Sequence, residues 1–168
     1  MGRTQAANLS RAWEGELASG APPPQALYSS PLSRSADTLR ITWFPLLNLS
    51  HPTLQPVFKE NLRETIGLHT CDRRSPRSTL ASRFPGFRFD VPFAEHDQLW
   101  SATFQEGNTQ QALRAQQLLN EVFATDAKVV VSLTAHGGVI QALCRALGHP
   151  LVPIKPGEFL PVVVKAVG

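Results

Sequence analysis

The sequence predicts an α/β fold: a three-layer sandwich with a mainly parallel central sheet flanked by helices. Three observations carry this. Residues 128–134 (Lys-Val-Val-Val-Ser-Leu-Thr) have the continuous apolar run of a strand buried in a parallel sheet. Apolar residues at spacings of three and four recur on either side of short apolar strands, so strands and helices alternate along the chain. A Gly-Gly pair follows the apolar run and opens a further helix, as in a strand–loop–helix unit. With 168 residues and 42% hydrophobic content, the chain suffices for one domain, residues 1–168, with a core of its own.

The elements follow in order. Ala6, Leu9, Trp13 and Leu17 predict a helix over residues 3–18 with one buried face, ended by Gly20-Ala21-Pro22-Pro23-Pro24. Residues 25–29 predict a buried strand. Ser30 is expected to cap the next helix with Pro31 at its first position, and Leu32, Ala36, Leu39 and Trp43 form its apolar stripe. A short strand is expected at Val57-Phe58, then a turn of helix near Asn61–Glu64. From Gly67 to Asp97 periodicity fails, and Phe84, Phe87, Phe89 and Phe93 are expected to anchor this excursion. Asn108 or Thr109 should cap a helix bearing Leu113, Leu118, Val122 and Phe123. The strand 128–134, a helix from Val139 to Leu147 with Gly148 at its end, and a last strand from Phe159 to Val167 complete the chain.

Charge narrows the partners. Sixteen Lys+Arg against 13 Asp+Glu give a net charge of +3, too little to argue for nucleic acid. The excess is local: Arg63, Arg73, Arg74, Arg77, Arg83 and Arg88 crowd one stretch, which suits either a solvated loop or an anionic substrate. No apolar run approaches the roughly 18 residues of a membrane span. Two cysteines without metal-ligand spacing, and an N-terminus without the apolar core of a signal peptide, predict a cytoplasmic protein, with the nucleus as alternative, and neither metal nor cofactor.

Ligands of open α/β sheets bind beyond the carboxyl ends of the strands. Two loops place polar residues there. Arg34 falls in the first turn of its helix, where free N–H groups and a guanidinium fork suit an oxyanion; a plain surface arginine is the alternative. His136 directly follows the buried strand and precedes Gly137-Gly138, which lets backbone approach a ligand; capping would be a weak use of histidine. An imidazole there can donate to an anion or transfer protons. Glu64, by its local pattern, reads as a solvated carboxylate, and His51, His96 and His149 as solvated imidazoles. Cys71 to Ser78 matches the Cys-x5-Arg-Ser phosphate loop of cysteine phosphatases, but no buried strand precedes Cys71 and the loop holds proline and no glycine.

Taken together, Ser29-Ser30-Pro31-Leu32-Ser33-Arg34 with Thr38, Leu62-Arg63-Glu64 with Gly67, and Ala135-His136-Gly137-Gly138 resemble the histidine phosphatase superfamily, the phosphoglycerate mutase-like group. Cys71-Asp72-Arg73-Arg74-Ser75, Phe84-Pro85-Gly86-Phe87, the spaced Glu95, Asp97 and Trp100, and Leu160–Lys165 look like its fungal phosphomutase-like branch. The resemblance implies that Arg34 and His136 bind the phosphoryl group of a small phosphorylated substrate and that Glu64 is the general acid. It implies phosphomonoester hydrolysis through a phosphohistidine, without metal. The family's nucleophile is the histidine of an Arg-His-Gly motif ending its first strand, and no Arg-His-Gly occurs here. The expectation is an N-terminally truncated domain that lacks that strand and does not turn over substrate. The alternative is a non-catalytic phosphoester-binding protein, a pseudophosphatase. The absent strand would neighbour residues 128–134, leaving the edge of Val129-Val130-Val131 open.

Overall fold

The computed structural model describes residues 1–47 and 54–165. Helices and strands alternate as α1 (Gly2–Ala18), β1 (Ala26–Ser29), α2 (Ser33–Trp43), β2 (Val57–Phe58), α3 (Arg77–Arg83), β3 (Arg88–Phe89), α4 (Asn108–Thr125), β4 (Val131–Thr134) and α5 (Gly137–Ala146). Every described strand pair is parallel, in the order β3-β2-β1-β4.

Side chains alternate across β1 and thereby build the three layers. Leu27 faces a core with Ala36, Leu39 and Trp43 of α2, Phe58 of β2, and Leu80, Phe84 and Phe87. Tyr28 faces the opposite core, with Ala115, Leu118 and Leu119 of α4 and Ala142 and Leu143 of α5. On the first face, α1 packs on α2 through buried Ala6, the Trp13–Trp43 ring pair at 4.9 Å, and Ser10, whose hydroxyl donates to the Thr42 carbonyl at 2.9 Å. On the second, Lys59 pins α4 to the sheet by donating to Asp90 and Glu121. Burial works to lower the Lys59 pKa, but these two carboxylates outweigh it and hold the ammonium above its ordinary value.

Several local expectations need correction. Ser30 is not the cap of α2: that helix begins at Ser33, and the Ser30 hydroxyl instead accepts from the Leu32 amide at 3.2 Å. The helix expected near Asn61–Glu64 is a 3-10 turn over Glu60–Leu62. Gly107, not Asn108 or Thr109, caps α4, and the Gln110 side chain accepts from its amide at 2.8 Å. Leu113 and Phe123 lie on the exposed side of α4, because Gln111 and Arg114 occupy its buried face with Ala115, Leu118 and Leu119.

Strand β4 is shorter than residues 128–134 and half-buried rather than enclosed, since β1 is its one described neighbour. Val129 is 88% exposed. No strand forms over residues 159–165; Phe159 instead stacks on Trp13, 4.7 Å between centroids. The end of that expected strand at Val167, like His51, lies outside the described residues. The phenylalanines of the aperiodic excursion do anchor it, with Phe84 and Phe87 buried in the first core and Phe89 and Phe93 packed against it.

Candidate functional site

Register brings three loops together. Ser29 lies opposite both Phe58 and Thr134, so β1, β2 and β4 end side by side. The loop after β1 leads to Arg34 in the first turn of α2. The loop after β2 passes through the 3-10 turn and delivers Glu64. The loop after β4 delivers His136, the N-cap residue of α5. The three residues singled out in the sequence thus share one end of the sheet, where such folds bind ligands.

His136 has extended backbone and makes no capping bond with its side chain. Its Nε2 lies 2.9 Å from the Ser30 hydroxyl, across the β1–β4 boundary. The imidazole is 8% exposed. Burial, then the guanidinium groups of Arg34, Arg114 and Arg63, push its pKa down to about 3, so it is neutral at physiological pH. Arg63 and Arg114 are themselves paired with Asp97 and Glu106, so the guanidinium that reaches solvent here is that of Arg34, and an anion is the ligand that suits it.

Arg34 is partly exposed, and its guanidinium is oriented from one side. Nη1 donates to the Cys71 carbonyl at 2.6 Å and Nη2 to Asp72 Oδ1 at 2.7 Å. The sequence leaves an exposed arginine open as the alternative; this arginine is exposed and also tied to the site.

Glu64 is half-buried rather than solvated. Its Oε1 accepts from the Thr65 amide at 3.1 Å and rests against the first turn of α5. A Cβ at Gly138 would lie 2.3 Å from that oxygen and 3.1 Å from Gln111 Nε2, so glycine there makes room for the carboxylate. We expect Gly138→Ala to fold, with its stability changed by less than about 1 kcal/mol, because only side-chain ends must move. It should nevertheless displace Glu64, which a chemical-shift change at the Glu64 carboxyl in NMR spectra would report.

The backbone carrying Glu64 is held by buried arginines. Arg114 donates to the carbonyls of Asn61, Arg63 and Glu64 and pairs with Glu106 at 2.7 Å. Arg63, wholly buried, forms a bidentate pair with Asp97 (2.8 and 2.6 Å) and donates to the Asp72 carbonyl. Asp97 also accepts from the amides of Arg74, Leu99 and Trp100. Its burial works to raise its pKa, but Arg63 and these amides prevail and hold it down to about 2.

Ser30, Asp72 and Arg114 contact the candidate residues, and Asp97 supports them through Arg63, without having been singled out in the sequence. The signal for Arg114 was present: it shares a helical face with Ala115 and Leu118, where a charge needs a reason. Cys71 lies in a 3-10 turn, and Arg77 stacks on Phe89 at 4.8 Å, so the Cys-x5-Arg-Ser stretch forms no cradle. Among the described residues, no group of three or more His, Cys, Asp or Glu could hold a metal ion. No described helix is long and apolar enough to cross a membrane.

Known proteins with this arrangement of sequence and fold can now be named. Residues 1–157 match the profile of the histidine phosphatase superfamily (branch 1). The chain is 36% identical over 165 residues to a "Probable phosphoglycerate mutase" of Arthroderma benhamiae, covering 98% of this chain and 49% of the relative. It is 34% identical to "Phosphomutase-like protein 3" of Candida albicans, covering 85% and 44%. The chain therefore spans about half the length of the curated relatives it matches. Among solved structures, "Mycobacterial hydrolase 2" aligns at a TM-score of 0.52 with 23% identity, covering 89% of this chain and 60% of that one. The tungstate complex of the ecdysone phosphate phosphatase from Bombix mori aligns at 0.54 with 17% identity, covering 96% and 62%; at such identities these likenesses establish the fold. The sequence match establishes more than the fold: this chain belongs to the histidine phosphatase superfamily, with relatives among its fungal phosphomutase-like members.

Proposed function

We propose that the protein binds small phosphomonoesters at the junction of β1, β2 and β4, and that residues 1–168 bind them without turning them over. Arg34 and His136 hold the phosphoryl oxygens, and Glu64 is placed to protonate the leaving alcohol. Hydrolysis through a phosphohistidine then belongs to a form of the protein that also carries the family's Arg-His-Gly strand. The observation that carries this reading is that buried His136, solvent-reaching Arg34 and half-buried Glu64 lie on the loops beyond the carboxyl ends of three parallel strands. Guanidinium groups fixed before the ligand arrives stabilise phosphoryl charge without reorganising.

A pseudophosphatase is the second reading, favoured by the absence of Arg-His-Gly from the sequence. Both readings predict binding; they part over whether the longer form hydrolyses p-nitrophenyl phosphate without added metal. Two unpaired cysteines, Cys71 exposed and Cys144 buried, support a reducing compartment, cytoplasmic or nuclear.

Calorimetric titration of the 168-residue chain with inorganic phosphate tests the site. Arg34→Ala and His136→Ala should each weaken binding by about tenfold or more, as expected for a lost bond to a charged group. Equal affinity in the wild-type chain and both variants would remove the assignment. Hydrolysis of p-nitrophenyl phosphate by the 168-residue chain would overturn the claim that it does not turn over substrate.

A further inference from the structure

We propose that Asp72 is a positioning residue for Arg34: it fixes the guanidinium in the orientation that receives a phosphoryl anion and remains bound to it when the anion arrives. The inference rests on the proposed phosphoester site and deepens it, because a carboxylate beside an anion-binding arginine has two opposite possible effects. It could compete with the ligand for the arginine, or it could hold the arginine for the ligand.

Burial decides between them. The Asp72 side chain is 9% exposed, whereas that of Arg34 is 45% exposed. The carboxylate thus sits inside the protein with Arg34 Nη2 at 2.7 Å, while the arginine reaches in from the solvent side. If Arg34 swung away to meet a ligand, Asp72 would be left as a nearly buried carboxylate without its cation, the costly way to break such a pair. Swinging away would also release the Cys71 carbonyl, which accepts from Nη1 at 2.6 Å. Anion binding is therefore easier with both contacts kept, through the guanidinium N–H groups that they leave free.

The segment bearing Asp72 is itself immobilised. The Asp72 carbonyl accepts from Arg63 Nη2 at 2.8 Å, and Arg63 is locked on Asp97. The turn Thr70–Asp72 is further tied by the His69 carbonyl, which accepts from the Trp100 ring N–H at 3.0 Å. A path of hydrogen bonds thus runs from the buried Arg63–Asp97 pair through Asp72 to the exposed Arg34. The residue next to the general acid is mechanically connected to the residue that would bind phosphate.

The two effects predict opposite signs for Asp72→Asn, which keeps shape and removes charge. As a positioning residue, Asp72 makes the Asn variant bind inorganic phosphate about tenfold more weakly, with Asp72→Glu closer to wild type. As a competitor, its neutralisation would tighten binding. Calorimetry with inorganic phosphate measures this, and the Arg34 Nη2–H resonance of the ligand-free chain gives a second readout. That resonance should collapse to the position of a solvated arginine in Asp72→Asn while the backbone amide spectrum is retained. Unchanged or tighter phosphate binding, or an unmoved Nη2–H resonance, overturns the inference. Absence of phosphate binding in the wild-type chain instead overturns the site reading, and the inference with it. The two failures are distinguishable by which protein loses binding.

Discussion

Asp97→Ala should destabilise the protein by about 3–5 kcal/mol, the cost of leaving a buried charge without its partner. No other described carboxylate is enclosed so completely with an arginine: side-chain exposures are 0% for Arg63 and 1% for Asp97. Removing Asp97 strands the guanidinium, and Glu60 at 3.2 Å is a poor replacement because Arg74 already draws on it. It also frees the amides of Arg74, Leu99 and Trp100, which donate to its carboxylate. Asp97→Asn should cost less, since an amide oxygen can still accept from Arg63. Urea unfolding at neutral pH measures both. An Asp97→Ala variant within about 1 kcal/mol of wild type would show that the pair contributes little beyond its own desolvation. The pH dependence has a definite sign. Asp97 has a folded-state pKa lowered from 3.8 to about 2, so its contribution is complete above pH 3.8 and is lost as pH falls towards 2.

The way this pair escapes a reading of the sequence explains what was legible and what was not. Hydrophobic periodicity reports which face of a local segment is buried. It therefore located α1, β1, the stripe of α2 and α5, each of which buries its own apolar residues. On α4 it placed Leu118 and Val122 correctly but not Leu113 and Phe123, because Gln111 and Arg114 are buried there by partners more than forty residues away: Thr65 for one, the carbonyls of Asn61 and Arg63 for the other. Ser30 shows the same limit. Its position before Pro31 fits a cap, but its hydroxyl is engaged with His136, brought alongside by the β1–β4 pairing. Arg34 and His136 were singled out by their places after strands and Glu64 by the family resemblance alone, and their convergence follows from parallel strands ending together. Asp72, beside Arg73, and Asp97, with no arginine near it in the chain, lie in a stretch without periodicity and carried no local mark of their partners. The last expected strand shows the same limit among the described residues. Residues 159–165 carry a strand-like apolar pattern, but Phe159 packs against Trp13 of α1, a partner nearly 150 residues away that the local pattern does not report.

The neutral state of His136 leads to the second large effect. The wild-type chain should lose about 2 kcal/mol of stability between pH 7 and pH 5 through this one residue. An unfolded histidine titrates near pH 6.5, whereas His136 resists protonation down to about 3 because burial disfavours its charge and the positive charges of Arg34, Arg114 and Arg63 repel it. Below pH 6.5 the unfolded chain takes up a proton that the folded chain refuses, so stability is present above that value and declines as pH falls towards 3. His136→Gln keeps a group able to bond Ser30 and removes the titration, so the two stability curves should converge as pH falls. Parallel curves would show that His136 is not held neutral. A dianion bound among the same guanidinium groups reverses the electrostatics: it offsets their charge and makes protonation of the imidazole easier. Sulfate, which keeps its charge across this range, should therefore bind more tightly as pH falls, and the His136 ring resonances should begin to titrate at higher pH when it is present. By linkage these are one effect seen from two sides. A His136 titration that ignores sulfate would place the anion elsewhere than beside the imidazole.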